Sequence, residues 1–268
     1  MSRIAEVFKD KKHKALIAYI TVGYPDIEAT LNVAALLAES GCDIIELGIP
    51  FSDPMADGLT IQHASYQALL NGVHLNNCFE TARKIRGRTN APLVFMTYLN
   101  PILSYGTDKF CRDCAAAGVD GLIVPDLPPG ELPEFDSAAR KYGVDTIYFI
   151  APNSSEERIR KVAQASSGFI YIISVTGVTG VRNSLSSDLG AVISQVRRFT
   201  DKPLCIGFGI SGAAQAAEAA KLADGVIIGS RIIQLMEEDN HQYEKLRHFI
   251  GEIRNTIDKP DGKIRTLK

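Results

Sequence analysis

Glu46 interrupts an apolar run, "CDIIELG", and eleven residues later Asp57 stands in a loop that also holds Pro50, Pro54 and Gly58. A carboxylate among Ile44, Ile45 and Leu47 has two uses. It can be structural, paired with an arginine or capping backbone N–H groups, as most buried acids are. Alternatively, an apolar setting raises its pKa and lets it give and take a proton near neutral pH. If the loop carrying Asp57 folds back over the same cavity, two carboxylates in different surroundings can divide acid and base duties. Asp53, between Ser52 and Pro54, either initiates a turn or faces a partner.

A second group of residues suits an anion. "SVTGVTG" spans 174 to 180, "GFGIS" spans 207 to 211, and Gly229 and Ser230 stand immediately before "RIIQLMEE". Glycine lets a backbone N–H approach an anion closely, and a helix starting at Ser230 aims its unpaired N–H groups and its dipole at the same place. One glycine in a loop means only that the chain turns. Three such loops in succession read as a phosphate cradle, built from neutral donors and needing no lysine.

The elements that position these residues recur along the chain. Near-continuous apolar runs begin at Ala15, Cys42, Pro92, Val119, Val144, Gly168, Lys202 and Ala223. Such runs suit parallel strands covered on both faces, and each is followed by helical apolar spacing. Asp26 caps the stretch from Ile27 to Ser40, Gly41, Gly118 and Gly143 end helices, and Ser154 with Glu157 has capping-box spacing. Eight consecutive βα units without a composition shift predict one domain over 1–268, a closed (β/α)8 barrel. Helices over 2 to 11 and 240 to 257 are additions at its ends. A doubly wound dinucleotide fold is disfavoured, because the first strand runs into "TVGYPD" and not into a glycine fingerprint. In a barrel the loops after the strands share one face, so Glu46, Asp57 and the glycine segments should converge there. The last two glycine segments fall where barrels often bind phosphate.

Composition narrows the partners. The 29 Lys and Arg nearly balance 31 Asp and Glu, and no basic block is interleaved with aromatics, which argues against nucleic acid. No long apolar run crosses a membrane and "MSRIAEVFKDKKHKAL" lacks the apolar core of a signal peptide, so a soluble cytoplasmic protein is expected. Five cysteines, at 42, 78, 111, 114 and 205, sit mostly in apolar segments and read as reduced, buried thiols. "CRDC" at 111 to 114 has no second pair to complete a zinc site.

The stretch "ELGIPFSDPMADGLTIQ", 46 to 62, resembles the signature of the tryptophan synthase alpha subunit family, and the rest of the chain fits that family from first strand to last helix. The resemblance implies a barrel that cleaves indole-3-glycerol phosphate to indole and D-glyceraldehyde 3-phosphate without metal or organic cofactor. It implies a partner, a pyridoxal-phosphate-dependent beta subunit that receives the indole within an alpha-beta-beta-alpha assembly. By position, Glu46 matches the glutamate that shuttles the proton, and Asp57 the aspartate that binds the indole N–H. Gly177, Gly180, Gly209, Gly229 and Ser230 match phosphate-binding positions, and Tyr19, Ile123, Tyr171 and Phe208 match pocket positions. Thr179 matches the threonine that meets Asp57 when the sixth loop closes. Val175 departs from an arginine found in some relatives, so that arginine's role does not transfer. Asp53, Pro54, "YLNP" at 98 to 101 and "DLPP" at 126 to 129, with Pro128, match positions facing the beta subunit. A stand-alone lyase would use the same residues, and a silent phosphosugar-binding barrel that activates a partner would have no chemical need for both Glu46 and Asp57. A Schiff-base aldolase would want a strand lysine that none of the eight runs obviously supplies.

Overall fold

The structure, a computed structural model, describes residues 1–173, 185–207, 209–238 and 242–258. After α1 (Arg3–Val7) come β1 (Ala15–Thr21), α2 (Ile27–Glu39), β2 (Ile44–Gly48), α3 (Leu59–Leu70), α4 (Leu75–Arg86) and β3 (Leu93–Met96). Then follow α5 (Leu99–Tyr105), α6 (Thr107–Ala116), β4 (Gly121–Ile123), α7 (Pro133–Tyr142), β5 (Asp145–Ile150), α8 (Glu156–Ala165) and β6 (Ile170–Ile173). The chain ends with α9 (Leu185–Arg197), β7 (Leu204–Gly207), α10 (Ala213–Leu222), β8 (Gly225–Ile228), α11 (Ser230–Glu238) and α12 (Glu244–Ile257). The strands pair in parallel in sequence order and β8 returns to β1, closing the (β/α)8 barrel expected from the repeat.

The strands are largely apolar because both faces are covered. On β1, Leu16, Ala18 and Ile20 belong to the large core beneath the helices, whereas Ala15, Ile17 and Tyr19 belong to a smaller core inside the barrel. Ile4 and Phe8 join that inner core. A Cβ at Gly121, the first residue of β4, would lie 2.8 Å from Ile4 Cδ1, so the missing side chain makes room for the plug. The N-terminal segment therefore fills the barrel at the strands' N-terminal ends and leaves the opposite end for a site.

A repeated device fastens the plugged end. Asp43, Asp120 and Asp224 directly precede β2, β4 and β8. Their carboxylates accept the N–H groups of Leu16 at 2.7 Å, Leu93 at 2.9 Å and Leu204 at 2.8 Å on the preceding strands. An arginine from the helical layer completes each: Arg254 at 2.8 Å from Asp43, Arg86 at 2.6 Å from Asp120, and Arg197 on Asp224. Asp120 is 8% exposed. Asp120→Ala should therefore lower stability by about 3 kcal/mol, since it takes the carboxylate from both Arg86 and Arg3 and leaves the Leu93 N–H without its acceptor. A urea unfolding midpoint within error of the wild type would contradict that.

Local details differ from the sequence reading where side chains compete for backbone groups. The helix cap before α8 is Ser155, which accepts the Arg158 N–H, while Ser154 turns back to accept the Ala151 N–H at 3.0 Å. The β2 ladder starts two residues after Cys42, whose N–H still bonds Leu37 O at the end of α2. The second and third units each hold two helices, divided near Gly72 and Gly106, which have φ of 75° and 93°. The first helix stops at Val7, short of residue 11, and Asp10 accepts the Lys12 N–H beyond it. All five cysteines are buried free thiols. Among the described residues no helix is long and apolar enough to cross a membrane.

Candidate active site

Glu46 is the third residue of β2, in register with Tyr19 on β1 and Val94 on β3. Alternation along the strand puts it on the barrel side with Ile44, while Ile45 and Leu47 pack beneath the helices. It is 1% exposed, and its Oε2 meets no hydrogen-bond partner among the described residues. This does not fit the structural-carboxylate reading, because a charged group so placed would be uncompensated. Burial first, and then the charge of Asp57, push its pKa from the ordinary 4.5 up to about 8.

Asp57 lies between β2 and α3 and is held from several sides. Its N–H donates to Pro54 O at 3.0 Å, and Gln62 Nε2 donates to its carbonyl at 2.8 Å. Tyr98 Oη donates to Oδ2 at 3.0 Å and itself accepts the Ala56 N–H at 3.0 Å, with the ring stacked on Phe51. Burial raises the Asp57 pKa to about 6 and the Tyr98 hydrogen bond opposes the rise. At neutral pH the pair therefore divides into a protonated Glu46 and an ionised Asp57. Their differing environments set this division.

Both carboxylates line a cavity of about 330 Å³ at the strands' C-terminal end. Tyr19 and Tyr171 line it too, with Ile61, Met96, Ile210 and Ile227 supplying apolar surface. Gly209, Ser211, Gly229 and Ser230 also line it, and Ser230 opens α11, so the helix's N-terminal dipole faces the space. Gly209 has φ of 79°, a conformation that favours glycine.

The two phenols fit only because their neighbours lack side chains. A Cβ at Gly48 would come within 2.0 Å of Tyr19 Oη, and one at Gly207 within 2.1 Å of Tyr171 Oη. Gly48→Ala should force the Tyr19 ring into the cavity, destabilise the fold by about 2 kcal/mol and lower turnover. Adding Tyr19→Leu, which removes the ring carbons at 2.5 and 2.8 Å along with the hydroxyl, should recover part of the stability loss. A double variant no better than Gly48→Ala alone would rule out the clash as the cause.

The structure thus brings together Glu46, Asp57, Tyr19, Tyr171, Gly209, Gly229 and Ser230. Val175, Gly177, Thr179, Gly180 and Phe208 lie outside the described residues. Ile123 is wholly buried beside Met96 in the inner core and is not among the residues lining the cavity. Asp53 is exposed and accepts the Ser52 hydroxyl at 2.5 Å, while Pro54 and Pro128 are partly exposed. Tyr98 belongs to a segment read as partner-facing, yet it is 4% exposed and serves Asp57. Sequence reading also missed Ser211, Arg231 and Gln234, of which Ser211 alone carried a signal, at the end of "GFGIS".

Comparison with known proteins gives the family. Residues 5–258 match the sequence model of the family described as tryptophan synthase alpha chain. A tryptophan synthase alpha chain from Dehalococcoides mccartyi is 54% identical over 258 residues, covering 96% of this chain and all of that one. The one from Geobacter sulfurreducens is 49% identical, covering 88% and 91%. A crystal structure of tryptophan synthase from M. tuberculosis superposes with a TM-score of 0.87 at 38% identity, covering 96% and 100%. Tryptophan synthase subunit alpha from Legionella pneumophila gives 0.89 at 35% identity, covering 97% and 99%. With the barrel, the paired acids and these likenesses in hand, the chain belongs to the tryptophan synthase alpha chain family and has the carbon–carbon lyase activity of that subunit.

Proposed function

We propose that Glu46 and Asp57 carry out the cleavage of indole-3-glycerol phosphate to indole and D-glyceraldehyde 3-phosphate in the cavity at the barrel's C-terminal end. The observation that carries this reading is the buried carboxyl of Glu46, whose Oε2 has no hydrogen-bond partner among the described residues, facing the same space as Asp57 and the start of α11. The reaction needs a proton delivered to indole C3 and another removed from the glycerol hydroxyl on the carbon being released. Protonated Glu46 gives its proton to C3, and positive charge develops on the ring nitrogen. Asp57, fixed by Tyr98, accepts a hydrogen bond from the ring N–H and stabilises that charge. The Glu46 carboxylate then takes the hydroxyl proton. The C–C electron pair returns to the ring, the aldehyde C=O forms, and Glu46 regains its starting state.

The phosphate end rests on Gly209, Gly229 and Ser230, with Gly177 and Gly180 proposed to join them. Tyr19, Tyr171 and Phe208 are proposed to flank the indole and glycerol, and Thr179 to meet Asp57 on loop closure. This chain's own residues supply the chemistry. Pyridoxal phosphate belongs to the proposed partner, a beta subunit that takes up the indole, with Asp53, Pro54 and Pro128 on the facing surface. The whole chain is proposed to work as one barrel unit in the cytoplasm.

The pKa pattern sets the pH dependence. Asp57 must be ionised and Glu46 protonated, so kcat/KM should rise through about pH 6 and fall through about pH 8. A profile flat across that range would contradict the assignment. Cleavage assays of the purified chain, with and without a beta subunit, test the activity itself. No indole release in either case would overturn the reading.

A further inference from the structure

We propose that Arg231 is a phosphate ligand held in reserve on Glu238, released to the substrate's phosphate when it enters; this rests on the phosphorylated-glycerol reading of the cavity and adds a charged residue to it. Arg231 follows Ser230 in the first turn of α11 and lines the cavity, as does Gln234 one turn on. Among the described lining residues it is the cation, in a space whose carboxyl groups are Glu46 and Asp57.

Its guanidinium points away from the helix start. Nη1 donates to Glu238 Oε1 at 2.7 Å and approaches Gln234 Oε1 at 3.4 Å, seven and three residues further along α11. Side chains on a helix lean toward its N-terminus, so the arginine is extended against that tendency by the acid at the far end of the helix. Rotation of its stem to the commoner direction carries the guanidinium over the first turn, beside Gly229 and Ser230.

The exchange is favourable for a dianion. The Arg231 and Glu238 side chains are 29% and 44% exposed, a setting in which an ion pair contributes little. A phosphate offers paired, charge-assisted hydrogen bonds to the planar guanidinium, backed by the helix dipole. Glu238 recaptures the arginine when the phosphorylated product leaves. The cradle is thus neutral at rest and gains a positive group only with its ligand.

Calorimetric titration of the full chain with glycerol 3-phosphate, with inorganic phosphate, and with glycerol as the uncharged control tests this. Arg231→Gln should weaken glycerol 3-phosphate binding about tenfold, and Arg231→Lys should keep part of the affinity. Glu238→Gln, which frees the arginine, should tighten binding about threefold. Opposite shifts from the two charge removals cannot come from a general loss of folding. In turnover, Arg231→Gln should raise KM about tenfold with kcat within about twofold. Wild-type binding that neither variant changes, or equal weakening by both, overturns the role of Arg231 and leaves the cavity's phosphate reading intact. Failure of the wild-type chain to bind glycerol 3-phosphate overturns both.

Discussion

Glu46→Gln is expected to lower indole release by at least about 10³-fold while leaving substrate binding close to that of the wild type. Glutamine keeps the size and one hydrogen-bond donor of the protonated acid but has no proton to deliver at C3 and no base to accept the hydroxyl proton. The same change should make the protein more stable. The folded state raises the Glu46 pKa from 4.5 to about 8, so between those values it retains a proton that the unfolded chain has released. Wild-type stability therefore falls as pH rises through that window, and glutamine carries no such loss. The melting-temperature advantage of Glu46→Gln should grow from about pH 4.5 to about pH 8 and then level off. A variant both inactive and less stable across that range would make Glu46 a structural residue.

Asp57→Asn is expected to cost about 10² to 10³ in kcat, the usual effect of removing one group aimed at developing charge. A second effect separates it from simple damage. The Asp57 charge is the second cause of the high Glu46 pKa, so removing it should move the alkaline limb of the pH profile below its wild-type position. The acid limb, assigned to Asp57, should vanish. Because the desolvation of Glu46 remains, the alkaline limb should not fall back to the ordinary carboxylate range. Wild-type limbs in a slow variant would mean that neither belongs to Asp57.

The barrel was legible because its strands are continuous apolar runs at a steady interval, a pattern that few folds bury completely. Glu46 stood out for the same reason, an acid where the pattern demands an apolar residue. What stayed hidden depends on contacts between distant segments. Tyr98 reaches Asp57 across 41 residues of chain, and nothing in "YLNP" marks that phenol as the partner of an acid in the preceding loop. Arg231 reads as an ordinary polar position on an amphipathic helix, and its place in the cavity comes from where α11 begins. Ser155 displaced Ser154 as a cap because a turn at Ala151 claims the first serine, a competition between neighbours that spacing does not resolve. The clamps at Asp43, Asp120 and Asp224 lay unmarked inside the apolar runs that begin at Cys42, Val119 and Ala223, and their arginines come from α12, α4 and α9.

Glu46 remains protonated at neutral pH while Asp57 does not. Difference infrared spectroscopy of the wild-type chain against Glu46→Gln follows the carboxylic acid C=O band of that one group. A band present at pH 6.5 should disappear with a midpoint near pH 8. A Glu46 carboxyl already ionised at pH 6.5, titrating near its ordinary 4.5, would contradict it.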